Sequence, residues 1–207
     1  MKSIESLKWR YATKKFDSTK KLSDDQLEMV KEIIQLSPSS FGLQTYKILI
    51  IENPEVREKL REVSWNQSQI TDASHLLVFV RNKSVTEKDV DEFIDNIALT
   101  REVEKSSLKQ YEGMMKYAIE TQSDEQKGIW VDKQIYLSLG NLLTSLSIEG
   151  IDSCPVEGFD KVKYDEILGL TDTTSVVVCP IGFRDEYDSY QYNKKVRKPI
   201  DQLFETI

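Results

Sequence analysis

From Asp124 to Glu149 the sequence runs without a proline through a continuous helical pattern. A helix of about 26 residues is roughly 39 Å long at the usual rise. Ile129, Trp130, Ile135, Leu139, Leu142, Leu143 and Leu146 form one broad apolar face, and Gly150 supplies the stop. That length exceeds what a small monomeric core needs. Two roles follow: the central helix of a larger core, or part of a subunit interface. The chain has 207 residues, which suits one domain able to bury about 70% of its unfolded surface.

The other elements are shorter. A first helix is expected over Ser3 to Tyr11. A second opens on Ser23-Asp24-Asp25-Gln26, which has capping-box spacing, and closes before Ser37-Pro38. Asn53-Pro54 caps a third. Further helices are expected over Thr86 to Ser106, Leu108 to Thr121 and Asp160 to Leu168. Lys47 to Glu52, His75 to Arg81, Ile151 to Cys154 and Thr174 to Phe183 read as strands, the last through Val176-Val177-Val178-Cys179. The helices crowd the middle of the chain. That favours a mixed sheet wrapped by helices, an α+β arrangement, over a regular doubly wound fold. After Arg184 about 24 residues carry no core pattern. They lie across a partner subunit or remain disordered.

Several chemistries are excluded early. A net charge of -7 argues against a nucleic-acid-binding face. One histidine, His75, and two cysteines, Cys154 and Cys179, are too few for a standard zinc site. His75 reads as the start of a strand and the cysteines as reduced, buried thiols. No Gly-x-Gly occurs, so neither a Walker loop nor a dinucleotide fingerprint is available. No apolar run is long enough to span a bilayer, and Met1 to Arg10 has no apolar signal core. A cytoplasmic chain with no metal, membrane or nucleic-acid partner is expected. The 35 acidic residues make any single carboxylate pair uninformative.

Three clusters remain: Arg10-Tyr11-Ala12-Thr13-Lys14-Lys15-Phe16, Pro38-Ser39-Ser40-Phe41-Gly42-Leu43-Gln44, and Lys194-Lys195-Val196-Arg197-Lys198-Pro199. Alone, each is a solvated basic face or a turn. In this order the sequence resembles the nitroreductase family of FMN oxidoreductases. The likeness continues through Asn66, Asp72-Ala73-Ser74-His75, Gln134-Ile135-Tyr136-Leu137, Gly140-Asn141 and Pro155-Val156-Glu157-Gly158-Phe159-Asp160. It covers nearly the whole chain and is nearest the minor oxygen-insensitive nitroreductases and dihydropteridine reductases of bacteria.

The resemblance implies a mainly antiparallel sheet in an intertwined homodimer, with 184–207 extending over the partner. It implies bound FMN and transient NAD(P)H. Small acceptors such as nitroaromatics, quinones or pterins would be reduced in a ping-pong cycle in one shared pocket. Arg10, Lys195 and Arg197 would clamp the phosphate, with Tyr11 and Ala12 beside them. Lys14 and Gln69 would lie near the flavin's pyrimidine edge, and Asn66 would hydrogen-bond the ring. Pro155, Val156, Glu157 and Gly158 would pass the N5 edge, placing Lys14 and Glu157 near the reacting ring. Pro38, Ser39, Ser40 and Gly42 would come from the other subunit.

Two departures stand out. Gln69 occupies a position often filled by lysine in the nearest relatives. Phe41-Gly42 replaces a more polar pair, and Thr45-Tyr46 a common Pro-Trp. Tyr111, Met114, Met115 and Tyr117 fall where relatives place pocket aromatics, although helix packing is the commoner use. Two further readings keep the fold: a flavin-binding protein without turnover, and another flavin reaction such as dehalogenation, desaturation or flavin degradation.

Overall fold

The computed structural model describes residues 2–207, Met1 lying outside the described residues. Four strands form one sheet in the order β1-β2-β4-β3: β1 (Tyr46–Ile51), β2 (His75–Asn82), β3 (Asp152–Ser153) and β4 (Thr173–Gly182). Every neighbouring pair is antiparallel. A lone parallel bridge joins Ala12 to Ser153. The expected α+β class with a mainly antiparallel sheet is what the chain adopts.

Both sheet faces are covered, which is why the strands read as unbroken apolar runs and not as alternating ones. On one face Leu77, Phe79, Val177 and Cys179 pack against helices α2 (Asp24–Gln35), α5 (Glu87–Arg101), α6 (Lys109–Glu120) and α7 (Asp124–Ile148). On the other, Leu76, Val78, Val80 and Val178 meet α3 (Pro54–Glu62), α4 (Gln69–Asp72) and α8 (Lys161–Leu168). There Tyr164 and Phe159 pack ring to ring at 4.5 Å.

The caps fold as the sequence predicts. Ser23 and Gln26 bond reciprocally at the start of α2, and Asn53 accepts from the Val56 N–H at the start of α3. Gly150 takes the left-handed conformation just past α7. Three elements differ from expectation. Helix α1 (Lys2–Trp9) stops before Tyr11, because Ala12 and Thr13 leave it to run beside β3. Helix α5 ends at Arg101, where Glu102 turns left-handed and a 3-10 turn follows at Lys105–Leu108. On α7 it is Val131, not Ile129, that joins the buried stripe of Ile135, Leu139, Leu142 and Leu146. Val131 precedes Ile135 by one turn, whereas Ile129 points elsewhere and is 49% exposed.

The short α4 has no sequence signal; a buried arginine holds it. The Arg57 guanidinium donates to the carbonyls of Ile70, Ala73 and Ser74. His75 opens β2 as expected, its Nδ1 3.0 Å from Ser74 Oγ. Both cysteines are free and buried. Among the described residues, no helix is long and apolar enough to cross a membrane.

Candidate functional site

The two ends of the chain meet beside β3. From Arg10 to Asp17 the backbone is threaded between β3 and the segment after β4. Thr13 N–H donates to Ser153 O, Asp17 N–H to Phe183 O, and Asp185 N–H to Lys15 O. A buried ion pair pins this seam. Arg184 chelates Asp152 through Nε and Nη2, the shortest contact being 2.6 Å, and Asp152 is only 4% exposed. The same guanidinium stacks 4.1 Å from the Trp9 ring centre and 4.7 Å from that of Tyr11.

A cleft of about 330 Å³ lies between these ends, lined among others by Arg10, Tyr11, Ala12, Lys14, Lys195 and Arg197. The basic clusters singled out at both ends of the sequence thus share one cavity, though 185 positions separate Arg10 from Lys195. Lys195 Nζ donates to the Leu7 and Arg10 carbonyls, closing the last turn of α1. Burial, then the charge of Arg197, lowers the Arg10 pKa. Burial, then Arg10 and Arg197, lowers that of Lys195. Among the described residues, Arg10 Nε is buried without a hydrogen-bond partner. Among the described residues no carboxylate lies within ion-pair distance of Arg10, Lys14, Lys195 or Arg197. Cations gathered in one cleft and left unneutralised, with burial acting on Arg10 and Lys195, suit a small anion.

Gln69 is buried on α4. Burial pushes the Cys154 thiol up in pKa, while Lys14, Gln69 and Arg10 pull it down. Val156 continues the seam by bridging Val178, carrying the chain from Cys154 through Pro155 to Glu157 and Gly158. Glu157 accepts a hydrogen bond from Tyr136 Oη of α7. Gly158 lies close under the exposed Trp65 ring: a Cβ there would be 2.7 Å from it, so the ring would have to shift. Trp65 and Asn66 form a left-handed pair, φ 52° and 54°, a conformation that costs a bulky residue of order 1 kcal/mol or more. The turn is held by Arg61 Nε donating to Asn66 Oδ1 and by Gln67 Nε2 donating to Gly158 O.

Pro38 to Gly42 is built elsewhere, against the middle helices. Gln134 Oε1 accepts from Ser40 N–H, Tyr111 Oη donates to Phe41 O, and Gly42, φ 85°, leaves 2.8 Å between a hypothetical Cβ and the Phe93 ring. Ser39 Oγ is buried without a partner. None of these groups bonds to the Arg10 cluster. Of the tentative pocket residues, Met115 is core, Tyr111 holds the Phe41 loop, and Met114 and Tyr117 are exposed.

The sequence alone assigns no role to Trp65, the Asp152–Arg184 pair or Asp188, and marks Tyr136 only as part of a family motif. The aspartates are invisible among 35 acidic residues. Trp65 had one faint marker, its place beside Asn66.

Residues 7–183 match the nitroreductase family. The chain belongs to the nitroreductase family. A Staphylococcus epidermidis protein bearing the name NAD(P)H nitroreductase is 34% identical, covering 99% of this chain and 96% of its own. One so named from Haemophilus influenzae is 35% identical, covering 97% and 94%. Among solved structures, a Bacillus subtilis protein named as a nitroreductase superposes with TM-score 0.88 at 21% identity, covering 99% of this chain and 98% of that one. Another, from Exiguobacterium sibiricum and solved in complex with FMN, superposes at 0.84 with 19% identity, covering 99% and 96%. This nitroreductase-family chain is an enzyme of the oxidoreductase type, and its cleft lies at the joined ends of the fold.

Proposed function

We propose that the cleft binds FMN and that the protein uses it to pass electrons from NAD(P)H to small acceptors. The carrying observation is the Arg10–Lys195–Arg197 cluster: Arg10 is partly buried with an unpartnered Nε, Lys195 and Arg197 are exposed, and among the described residues none of the three has a counter-ion. A phosphate dianion fits that donor set, arginine offering forked donors and lysine a point charge. Tyr11 and Ala12 shape the cleft wall. Lys14 and Gln69 would hold the pyrimidine edge, Asn66 the ring, and Pro155 to Gly158 the N5 edge, with a main-chain N–H of Glu157 or Gly158 as donor. The chemistry FMN supplies when bound is hydride acceptance from NAD(P)H and then reduction of a nitroaromatic, quinone or pterin-like acceptor, in a ping-pong cycle.

The reading includes a homodimer, with 184–207 in part a C-terminal extension over the partner. Residues 185–195 pack on their own chain, but beyond them Val196, Ile200, Leu203, Phe204 and Ile207 are all exposed. Strand β1 is paired on one side only, and beside its free edge an apolar groove of about 550 Å³ runs along α2, lined by Val30, Ile34, Tyr46, Ile48 and Ile50. An open edge beside an apolar groove invites a strand or tail from another chain. Pro38, Ser39, Ser40 and Gly42 would then complete the partner's site, giving Ser39 Oγ its missing bond.

Purified protein is expected to take up FMN, to bleach anaerobically with NADH or NADPH, and to recover on adding menadione or a nitroaromatic. A colourless protein that takes up no FMN refutes the cofactor assignment. Flavin that stays oxidised under both nicotinamides favours a binding protein without turnover.

A further inference from the structure

We propose that Asp188 is the positioning residue that assembles the cations from the chain's two ends into one phosphate clamp; this rests on the FMN reading above. Asp188 is 2% exposed. Its Oδ2 accepts from Tyr11 Oη at 2.8 Å, Lys14 N–H at 2.8 Å and Lys15 N–H at 3.1 Å. Its Oδ1 accepts from Tyr190 N–H at 3.1 Å, starting the 3-10 turn Ser189–Tyr192. One oxygen therefore fixes the N-terminal segment that carries Arg10 and Lys14. The other fixes the turn from which the chain reaches Lys195 and Arg197.

The partners of Asp188 are what make it an assembler. All four donors are neutral, and among the described residues no cation pairs with it. Burial opposes its charge, and the bonds from Tyr11, Lys14, Lys15 and Tyr190 outweigh that opposition. The carboxylate orients backbone while leaving Arg10, Lys14, Lys195 and Arg197 unneutralised. A salt bridge from the same position would have organised the segment and quenched the clamp together.

Asp165 provides a matched control remote from the cleft. It too is held by neutral donors, Thr174 Oγ1, Ser175 N–H and Ser175 Oγ, on α8. The experiment measures FMN and riboflavin dissociation constants by flavin fluorescence quenching in wild type, Asp188→Ala, Asp188→Asn and Asp165→Ala. Riboflavin lacks the phosphate, so the ratio of the two constants reports the clamp and not general integrity. Asp188→Ala is expected to lower the preference for FMN at least about tenfold, the scale of one charge-assisted bond. Asp188→Asn keeps one acceptor oxygen and is expected to fall between it and wild type. Asp165→Ala is expected to retain the wild-type preference. The proposal is overturned if Asp188→Ala keeps that preference, or weakens both flavins equally. If Asp188→Ala does not fold, an unchanged ratio in Asp188→Asn overturns it. A wild-type protein that does not prefer FMN refutes the FMN reading itself, before any variant is made.

Discussion

The cation cleft and the Pro38–Gly42 loop carry comparable sequence motifs, yet the fold treats them in opposite ways. The cleft is finished within one chain: Arg10, Lys14, Lys195 and Arg197 converge on it, and Asp152, Arg184 and Asp188 lock the convergence. The loop is rigidly held by Gln134, Tyr111 and Phe93 but bonds to nothing in the cleft, and Ser39 Oγ is left without a partner. Under the proposed homodimer, the unpartnered Ser39 hydroxyl is what the loop would offer to a second subunit. The cation motif, by contrast, is gathered by buried aspartates of its own chain.

The comparison breaks most decisively at Asp152. Asp152→Ala strands the Arg184 guanidinium in a buried seam, at a cost of about 3–5 kcal/mol. Thermal or urea unfolding measures it, and a loss under about 1 kcal/mol would mean the seam does not rest on this pair. Next is Arg10→Ala, expected to weaken FMN by about 1.5–3 kcal/mol, roughly ten- to 150-fold. Equal affinity in the variant would leave the cleft without its assigned ligand.

Gln69→Lys adds a charge at the position proposed for the flavin's pyrimidine edge. It is expected to stabilise reduced flavin by roughly 1–2 kcal/mol, raising the two-electron midpoint by a few tens of millivolts. No upward shift in a spectroelectrochemical titration sinks the idea. Ser39→Ala is the matching probe of the loop, with an expected loss of about 1 kcal/mol, roughly fivefold in FMN affinity. A heterodimer pairing this variant with Arg10→Ala subunits should hold one unimpaired site, if the loop serves the partner. Two impaired sites would return the loop to its own chain.

The smallest effect is in acid. The folded pKa of Asp188 lies below its ordinary value. Its contribution is therefore complete above about pH 4 and is lost as the pH falls through the folded value. Wild type should lose stability more steeply than Asp188→Asn below that point, and coincident acid titrations would count against an ionised Asp188.

Much of this architecture is legible in the residues. Ser23, Asn53 and Gly150 mark helix ends because capping is chemistry between close neighbours in the chain. The runs at His75 and Val176 mark buried strands because a sheet covered on both faces tolerates no polar alternation. The family resemblance grouped Arg10, Lys14, Lys195 and Arg197 around one ligand, and the four line one cleft. Helix α4 and the true end of α1 were not legible: one depends on Arg57 reaching carbonyls beyond its own helix, the other on a bridge to Ser153.

What the sequence by itself determined is the inventory: local caps, apolar strands, the length of α7 and an acidic chain with a basic cluster near each end. Tertiary structure alone decided which of the 35 carboxylates matter, raising Asp152 and Asp188 from an anonymous acidic background. It also turned Val131 inward and Ile129 outward on α7. The physical reason is common to both. A carboxylate's role is set by its burial and its donors, and a helical face by what packs on it. Those partners are brought close by folding, from positions far away in the chain.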